Sequence, residues 1–276
     1  MRPAEIVRRA AGYLEHHDVE TPKETAEVLL AAVLGVDRAR LYTRDEGLSS
    51  SEARRFGRML CRRCTGTPPQ HLTGSTGFRR LTLAVGPGVF VPRPETEIVV
   101  EAGLESIADI DHPVVVDAGT GTGAVALAVA DEHPGARVFA TDLSGEAVEL
   151  ARENAASLGL AIEVFEGDML APLPNRLRGK VDLVISNPPY VGAEELETLP
   201  AHVRADPDLA LLGDLGTYER LLDEASGWLR PGGAFVIEIG SGRAADVARI
   251  VARRFDDVAV REDLTGRDRV VTARAR

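Results

Sequence analysis

Cysteine is almost missing from this chain. Of 276 residues only Cys61 and Cys64 are cysteine, which leaves no disulfide framework to staple a fold. The pair has CxxC spacing, but no second Cys/His pair completes a zinc site, and no thioredoxin-like βαβ pattern surrounds it. Two incidental thiols, no bound metal and a reducing, cytoplasmic compartment are expected. No apolar run approaches the roughly 18 residues a membrane-spanning helix needs. The opening MRPAEIVRRA is too charged for a signal peptide. Positive charge is not in excess either: the net charge is -11 and the pI about 5.1. This argues against a broad phosphate-binding surface and direct nucleic-acid binding. The one locally basic stretch, RRFGRMLCRR (54–63), suits a solvated helix face. Repeats and low-complexity segments are absent, and 44% hydrophobic with 27% charged residues is a globular composition.

What is present divides into two regions. Residues 1 to about 73 carry helical patterns only. Thr21-Pro22-Lys23-Glu24 has capping-box spacing with proline at the first helical position, ahead of AEVLLAAVLG. Ser49 and Glu52 repeat that spacing before ARRFGRMLCRRCTG, with Gly66 as C-cap. From Leu81 the pattern changes. LTLAV alternates like a half-buried strand, Gly86-Pro87-Gly88 is a turn, and VFV follows it, which predicts a hairpin joining the regions. VPRPETE then leads into the helical IVVEAGLESI. Beyond residue 112 strands and helices alternate: VVVDAG, AVALAVADEH, ARVFATD, GEAVELARENAASLG behind Ser144, AIEVFEGD, VDLVISN, AFVIEIG, AADVARIVARRF, VAVRED and DRVVTAR. Such alternation implies a mainly parallel sheet with helices on both faces.

The first of these strands ends in Asp117-Ala118-Gly119-Thr120-Gly121-Thr122-Gly123. Glycines at a strand's carboxyl end let the backbone approach a ligand closely. The dinucleotide fingerprint has a similar spacing, so the glycines alone discriminate weakly. The acids discriminate better. Asp117 can face a cationic amine, which a dinucleotide lacks. Asp142, ending the second strand, can accept both ribose hydroxyls. Asp168, ending the third, lines an adenine pocket together with Met169. A nucleoside that carries an amino acid, S-adenosylmethionine, fits all of these.

The fourth strand runs into Ser186-Asn187-Pro188-Pro189-Tyr190. Two consecutive prolines forbid a regular helix or central strand and stiffen the loop. Asn187 Oδ1 and the Pro188 carbonyl are two pinned acceptors for an –NH2 on a planar group. Tyr190 can stack on that group's face. An amide nitrogen is a poor nucleophile. Accepting both of its N–H bonds pushes electron density toward nitrogen, most strongly as positive charge develops in the transition state.

GTPPQHLTGSTGF, VGPGVFVPRPETE, DAGTGTGAVAL, ATDLS and ISNPPY together resemble the HemK/PrmC family of protein-(glutamine-N5) methyltransferases, and the resemblance runs over nearly the whole chain. It implies an α/β, Rossmann-like class I S-adenosylmethionine-dependent methyltransferase sheet, with a small N-terminal helical bundle joined by a β-hairpin. The expected boundaries are 1–73 for a helical substrate-recognition domain, 74–92 for a hairpin linker and 93–276 for the methyltransferase domain. The implied reaction is methylation of the glutamine in the GGQ motif of class 1 peptide chain release factors, leaving S-adenosylhomocysteine. By the same resemblance Gly119 to Gly123, Asp142, Met169 and Asn187 line the cofactor site. Asn187, Pro188, Pro189 and Tyr190 hold the glutamine. His71 stands where the family has an aromatic residue. The segment 205–221, ADPDLALLGDLGTYERL, departs from the family pattern with Asp206 for Glu and glycines rearranged around Asp214. It is expected to be a loop shaping the entrance beside the cofactor. Arg93, Glu95 and Glu97 are open between a role at the site and structural ion pairing. Two other readings stay open: an adenine-amino methyltransferase acting on DNA or RNA, since the Asn-Pro-Pro-Tyr loop suits a flipped base equally, and a cofactor-binding assembly protein without catalysis.

Overall fold

A computed structural model describes residues 1–198, 203–204 and 206–276. Two compact units are present: of the described residues, 1–76 and 203–204 form the first, and 77–198 and 206–276 the second.

The first unit holds helices α1 (Pro3–His16), α2 (Pro22–Leu34), α3 (Arg40–Thr43), α4 (Ser50–Cys64) and α5 (Pro69–Thr73). Their apolar faces meet in a core of Val7, Leu14, Leu29, Leu30, Leu41, Phe56 and Met59. The two expected helix starts behave differently. At α4 the capping box forms: Ser49 Oγ accepts from Glu52 N–H, and Glu52 accepts from Ser49 N–H at 2.7 Å. At α2 it does not. Thr21 sits in the left-handed region at φ 47° and its side chain caps nothing. An N-cap side chain reaches the first turn from extended backbone, and a left-handed Thr21 lacks that approach. Gly66 just past α4 takes the positive φ (98°) expected of a terminating glycine.

The second unit begins within β1 (Ser75–Phe78), which pairs with β2 (Leu81–Ala84) in a two-stranded sheet. The expected hairpin is therefore present, with one strand corrected: the partner of LTLAV precedes it in the chain, and VFV after the Gly86–Gly88 turn is irregular. The tight turn is made by Arg79 and Arg80, with Arg79 at φ 49°. Arg79 is held there without glycine, since its N–H donates to Glu97 Oε1 and its guanidinium pairs with Glu132.

The remaining elements are α6 (Glu97–Ser106), β3 (Val114–Ala118), α7 (Ala124–Glu132), β4 (Arg137–Asp142), α8 (Gly145–Leu158), β5 (Ile162–Glu166), β6 (Val181–Ser186), α9 (Asp208–Leu211), α10 (Leu215–Trp228), β7 (Leu229–Glu238), α11 (Ala244–Val251), β8 (Phe255–Glu262) and β9 (Asp268–Ala275). The sheet order is β5-β4-β3-β6-β7-β9-β8. Pairings through β7 are parallel, and β9 runs antiparallel to both β7 and β8. One apolar cluster fills each face: Val99, Val115, Leu127, Leu183 and Val236 on one, Val116, Phe139, Val184, Trp228 and Phe235 on the other. The segment 205–221 is corrected as well. Ala205 lies outside the described residues, and the rest is largely helical. Asp214 caps α10 by accepting from Thr217 N–H at 3.1 Å, and Tyr218 and Leu221 are core residues.

Replacing Ser49 by Ala is expected to lower unfolding free energy by about 0.5–2 kcal/mol, as loss of a working cap does. Thr21→Ala is expected to stay within about 0.5 kcal/mol of the parent in the same urea titration.

Candidate active site

β3 lies where the chain turns from building the sheet one way to building it the other. Open α/β sheets bind ligands in the crevice at such a switch point. β3 and β6 are parallel neighbours with Ala118 opposite Ser186, and Ser186 Oγ donates to the Ala118 carbonyl at 2.7 Å. The glycine loop and the Asn-Pro-Pro-Tyr loop therefore leave the sheet side by side.

The glycine loop is pinned from below. Gly119 and Thr120 N–H groups both donate to the Thr141 carbonyl at 2.9 Å. Gly119, Gly121 and Gly123 take φ of 76°, 56° and 83°, a conformation that side chains with a Cβ resist. Gly119 is exposed and Gly121 half-buried, whereas Thr120, Thr122 and Gly123 are turned inward and buried. Asn154 ties the loop to the hairpin: its Nδ2 donates to the Thr122 carbonyl (2.9 Å) and the Ala84 carbonyl (3.1 Å), and its Oδ1 accepts from Ala84 N–H (2.8 Å).

The three strand-end acids have different surroundings. Asp117 is buried beneath the loop. Its Oδ2 accepts from Thr120 Oγ1 (2.6 Å) and Ala126 N–H (3.1 Å), while Oδ1 has no partner. Burial pushes its carboxyl up to about 7. Asp142 is half-buried and accepts from Gly121 N–H (2.8 Å) and Ser144 N–H (2.9 Å). Burial raises its carboxyl as well, against those backbone hydrogen bonds. Leu143 beside it is an exposed apolar side chain, for which a single leucine in ATDLS carries no sequence signal. Asp168 lies two residues past the end of β5, exposed and ion-paired with Arg220 of α10. Met169 follows at φ 45°, packed against one core cluster.

In the second loop Pro188 is buried, and Asn187, Pro189 and Tyr190 are half-buried. Asn187 Nδ2 donates to Thr96 Oγ1 at 3.1 Å, and Thr96 Oγ1 donates to Glu238 Oε2 at 2.7 Å. Tyr190 Oη donates to the other oxygen, Glu238 Oε1, at 3.2 Å. Burial pushes Glu238 up to about 7, opposed by its bond from Thr96 and by the charge of Arg269. Burial, then the charge of Glu238, raises the Tyr190 hydroxyl. Thr96 and Glu238 were missed in the sequence. The available signal was a lone acid in the apolar strand AFVIEIG and a threonine within VPRPETE.

VPRPETE has structural duties too. Arg93 pairs with Asp206, whose side chain is fully enclosed and also accepts from Val91 N–H (3.3 Å). Glu97 holds the Arg79 turn. The chain after Asp206 then lies along the proline loop. Val191 N–H donates to the Leu211 carbonyl (2.9 Å) and Gly213 N–H to the Val191 carbonyl (3.0 Å). A Cβ on Gly213 would stand 1.9 Å from the Pro189 carbonyl oxygen.

A model of the PrmC N-terminal domain matches residues 5–74, and one of the methyltransferase small domain matches 81–203. The release factor glutamine methyltransferase of Moorella thermoacetica is 45% identical over 98% of this chain and 95% of its own. Those of Deinococcus radiodurans and Mycolicibacterium smegmatis are 39% and 42% identical over 99% and 97% of this chain, and 99% and 95% of theirs. The chain belongs to the release factor glutamine methyltransferase family. Among solved structures, a T. thermophilus 16S rRNA N2 methyltransferase in complex with AdoMet and guanosine superposes with TM-score 0.55 at 20% identity, over 73% of this chain and 50% of its own. A methyltransferase from Pyrococcus furiosus does so with TM-score 0.51 at 16% identity, over 70% and 87%. At these identities the two share the Rossmann-like methyltransferase fold with this family member. Within that fold, Gly213→Ala is expected to displace the Pro189 carbonyl. Methyl transfer by this methyltransferase should fall by at least about tenfold, as small misplacements of reacting groups do. Single-turnover kinetics at saturating cofactor measure it.

Proposed function

We propose that this chain transfers a methyl group from S-adenosylmethionine to the side-chain amide nitrogen of the glutamine in the GGQ motif of class 1 peptide chain release factors, in the cytoplasm. The observation that carries this reading is the Asn187 amide. Its Nδ2 is committed to Thr96, so Oδ1 is the acceptor left for a substrate, beside the glycine loop. The match to release factor glutamine methyltransferases over nearly the full chain supports the same choice of substrate.

The residues present fit the cofactor. Asp117 Oδ1 is a buried acceptor without a partner, which suits a cationic amine. The exposed Gly119 and half-buried Gly121 leave backbone open to close approach; in this reading Asp142 accepts the ribose hydroxyls, and Leu143, Asp168 and Met169 border the adenine. S-adenosylmethionine supplies an electrophilic methyl on a sulfonium. The chain's task is to aim and activate a nitrogen. Asn187 Oδ1 and the Pro188 carbonyl accept the two hydrogens of the glutamine amide, Pro189 stiffens the loop, and Tyr190 provides a planar surface. Holding the amide in line removes much of the entropic barrier. Acceptors fixed in advance stabilise the charge that develops on nitrogen. The base-methylating alternative draws no support from the net charge of -11.

The deciding experiment offers intact release factor, DNA and tRNA side by side with labelled cofactor. Label is expected on the glutamine of the release factor alone. Asn187→Ala is expected to lower the single-turnover rate by roughly 10²–10³, as loss of a preorganised dipole does. An unchanged rate rejects the amide clamp.

Residues 1–73 carry none of the candidate cofactor residues, and their proposed role is recognition of the protein substrate. A chain starting near Ser75, which keeps β1 whole, is expected to bind cofactor and methylate a short GGQ peptide as the full chain does, with weakened KM for intact release factor. An unchanged KM assigns the helices another role.

A further inference from the structure

We infer that Glu238 is a positioning residue which, through Thr96, dictates which end of the Asn187 amide faces the substrate. The inference rests on the reading of Asn187 as the amide acceptor. An asparagine side chain has an acceptor end and a donor end of nearly equal shape, and nothing in a proline-stiffened backbone distinguishes them. The chain of contacts does. An ionised carboxylate only accepts. Glu238 therefore takes the Oγ1 hydrogen of Thr96 on Oε2 (2.7 Å) and the hydroxyl hydrogen of Tyr190 on Oε1 (3.2 Å). A hydroxyl has one hydrogen, so Thr96, having given it away, can only accept from Asn187. Asn187 must present Nδ2 to Thr96, at 3.1 Å, and is left with Oδ1 pointing the other way. Both residues of the loop with a polar side chain thus hang from one buried acid.

Protonation undoes this logic. A neutral Glu238 can donate to Thr96, whose hydrogen is then free for Asn187 Oδ1. The amide turns over and offers an N–H to a substrate that is itself a donor. Four ionisable groups act on Glu238 or feel its charge: Arg269 of β9, Tyr190, Glu95 in the turn before α6, and Tyr218 of α10. Arg269, held by Asp263 at 3.2 Å, favours the ionised form, and Glu95 opposes it. With burial raising the carboxyl to about 7, Glu238 is ionised above that pH and neutral below it. Turnover is predicted to rise through pH 7.

Three variants of the full chain, Thr96→Val, Thr96→Ser and Glu238→Gln, test this, with cofactor binding measured by calorimetry as a check on folding. Thr96→Val keeps the shape and removes the hydroxyl. It is expected to lower kcat about 10–100-fold, in the range typical of outer-shell orienting partners, with cofactor Kd within about twofold of the parent. Thr96→Ser restores the hydroxyl and is expected to recover most of the rate. At saturating cofactor, where Asp117 is already paired with the cationic amine in this reading, the parent should show an inflection in kcat near pH 7 that Glu238→Gln lacks. The proposal is overturned if Thr96→Val turns over at the parent rate while Asn187→Ala is impaired, or if the inflection persists in Glu238→Gln. Failure of Asn187→Ala to slow the reaction removes instead the reading on which the proposal stands.

Discussion

Ala118 and Ser186 face each other across two parallel strands, and a side-chain hydrogen bond from Ser186 closes the pair. Everything about the site depends on that register. Parallel strands deliver their following loops to the same end of the sheet, so the glycine turn and the proline loop emerge as neighbours although nearly seventy residues separate them in sequence. A register slip of one residue would exchange the faces of every side chain on β6, placing Leu183 and Ile185 in the wrong apolar cluster. The two cores on either side of the sheet thereby protect the alignment of the two loops.

The crevice is rigid on both sides for different reasons. The glycine loop is held by backbone groups of β4, by Asn154 and by the enclosed Asp117. The proline loop is stiff in itself, and the chain from Asp206 to Gly213 packs along it. That segment is anchored at its start by Arg93 within VPRPETE, so one short motif fixes a turn of backbone on each side. Breaking a buried pair such as Arg93–Asp206 from one side leaves an uncompensated charge, which is costly. The pair is accordingly a structural clasp around the proposed site.

Buried acids recur here. Asp117 and Glu238 are each enclosed and each raised to about 7, and both lie where proposed chemistry needs them. Enclosing a carboxylate is unfavourable unless hydrogen bonds or a cation compensate it. Glu238 finds Thr96, Tyr190 and Arg269 within the chain. Asp117 finds two donors for one oxygen and none for the other. The contrast separates an acid whose work is internal from one whose open oxygen suits a bound cation.

The sequence by itself determined the α/β alternation, the glycine turn and the stiff Asn-Pro-Pro-Tyr loop. These are local consequences of residue type: β-branched runs favour strands, glycine permits positive φ, and proline fixes its own φ and lacks an N–H. The family was legible in a different way, through the resemblance of VPRPETE, DAGTGTGAVAL and ISNPPY to a known family over nearly the whole chain. What sequence patterns misjudged were matters of backbone direction and distant pairing. Thr21 has the right residue types for a cap but the wrong φ, Leu81–Ala84 pairs with the segment before it, and the start of α10 lay hidden in what looked like loop. Only the tertiary structure decided that Thr96, Asn187, Tyr190 and Glu238 form one hydrogen-bonded group. The physical reason is that they come from three separate segments, the turn before α6, the proline loop and the end of β7, and a hydrogen bond between residues 142 positions apart leaves no periodicity in the chain that makes it.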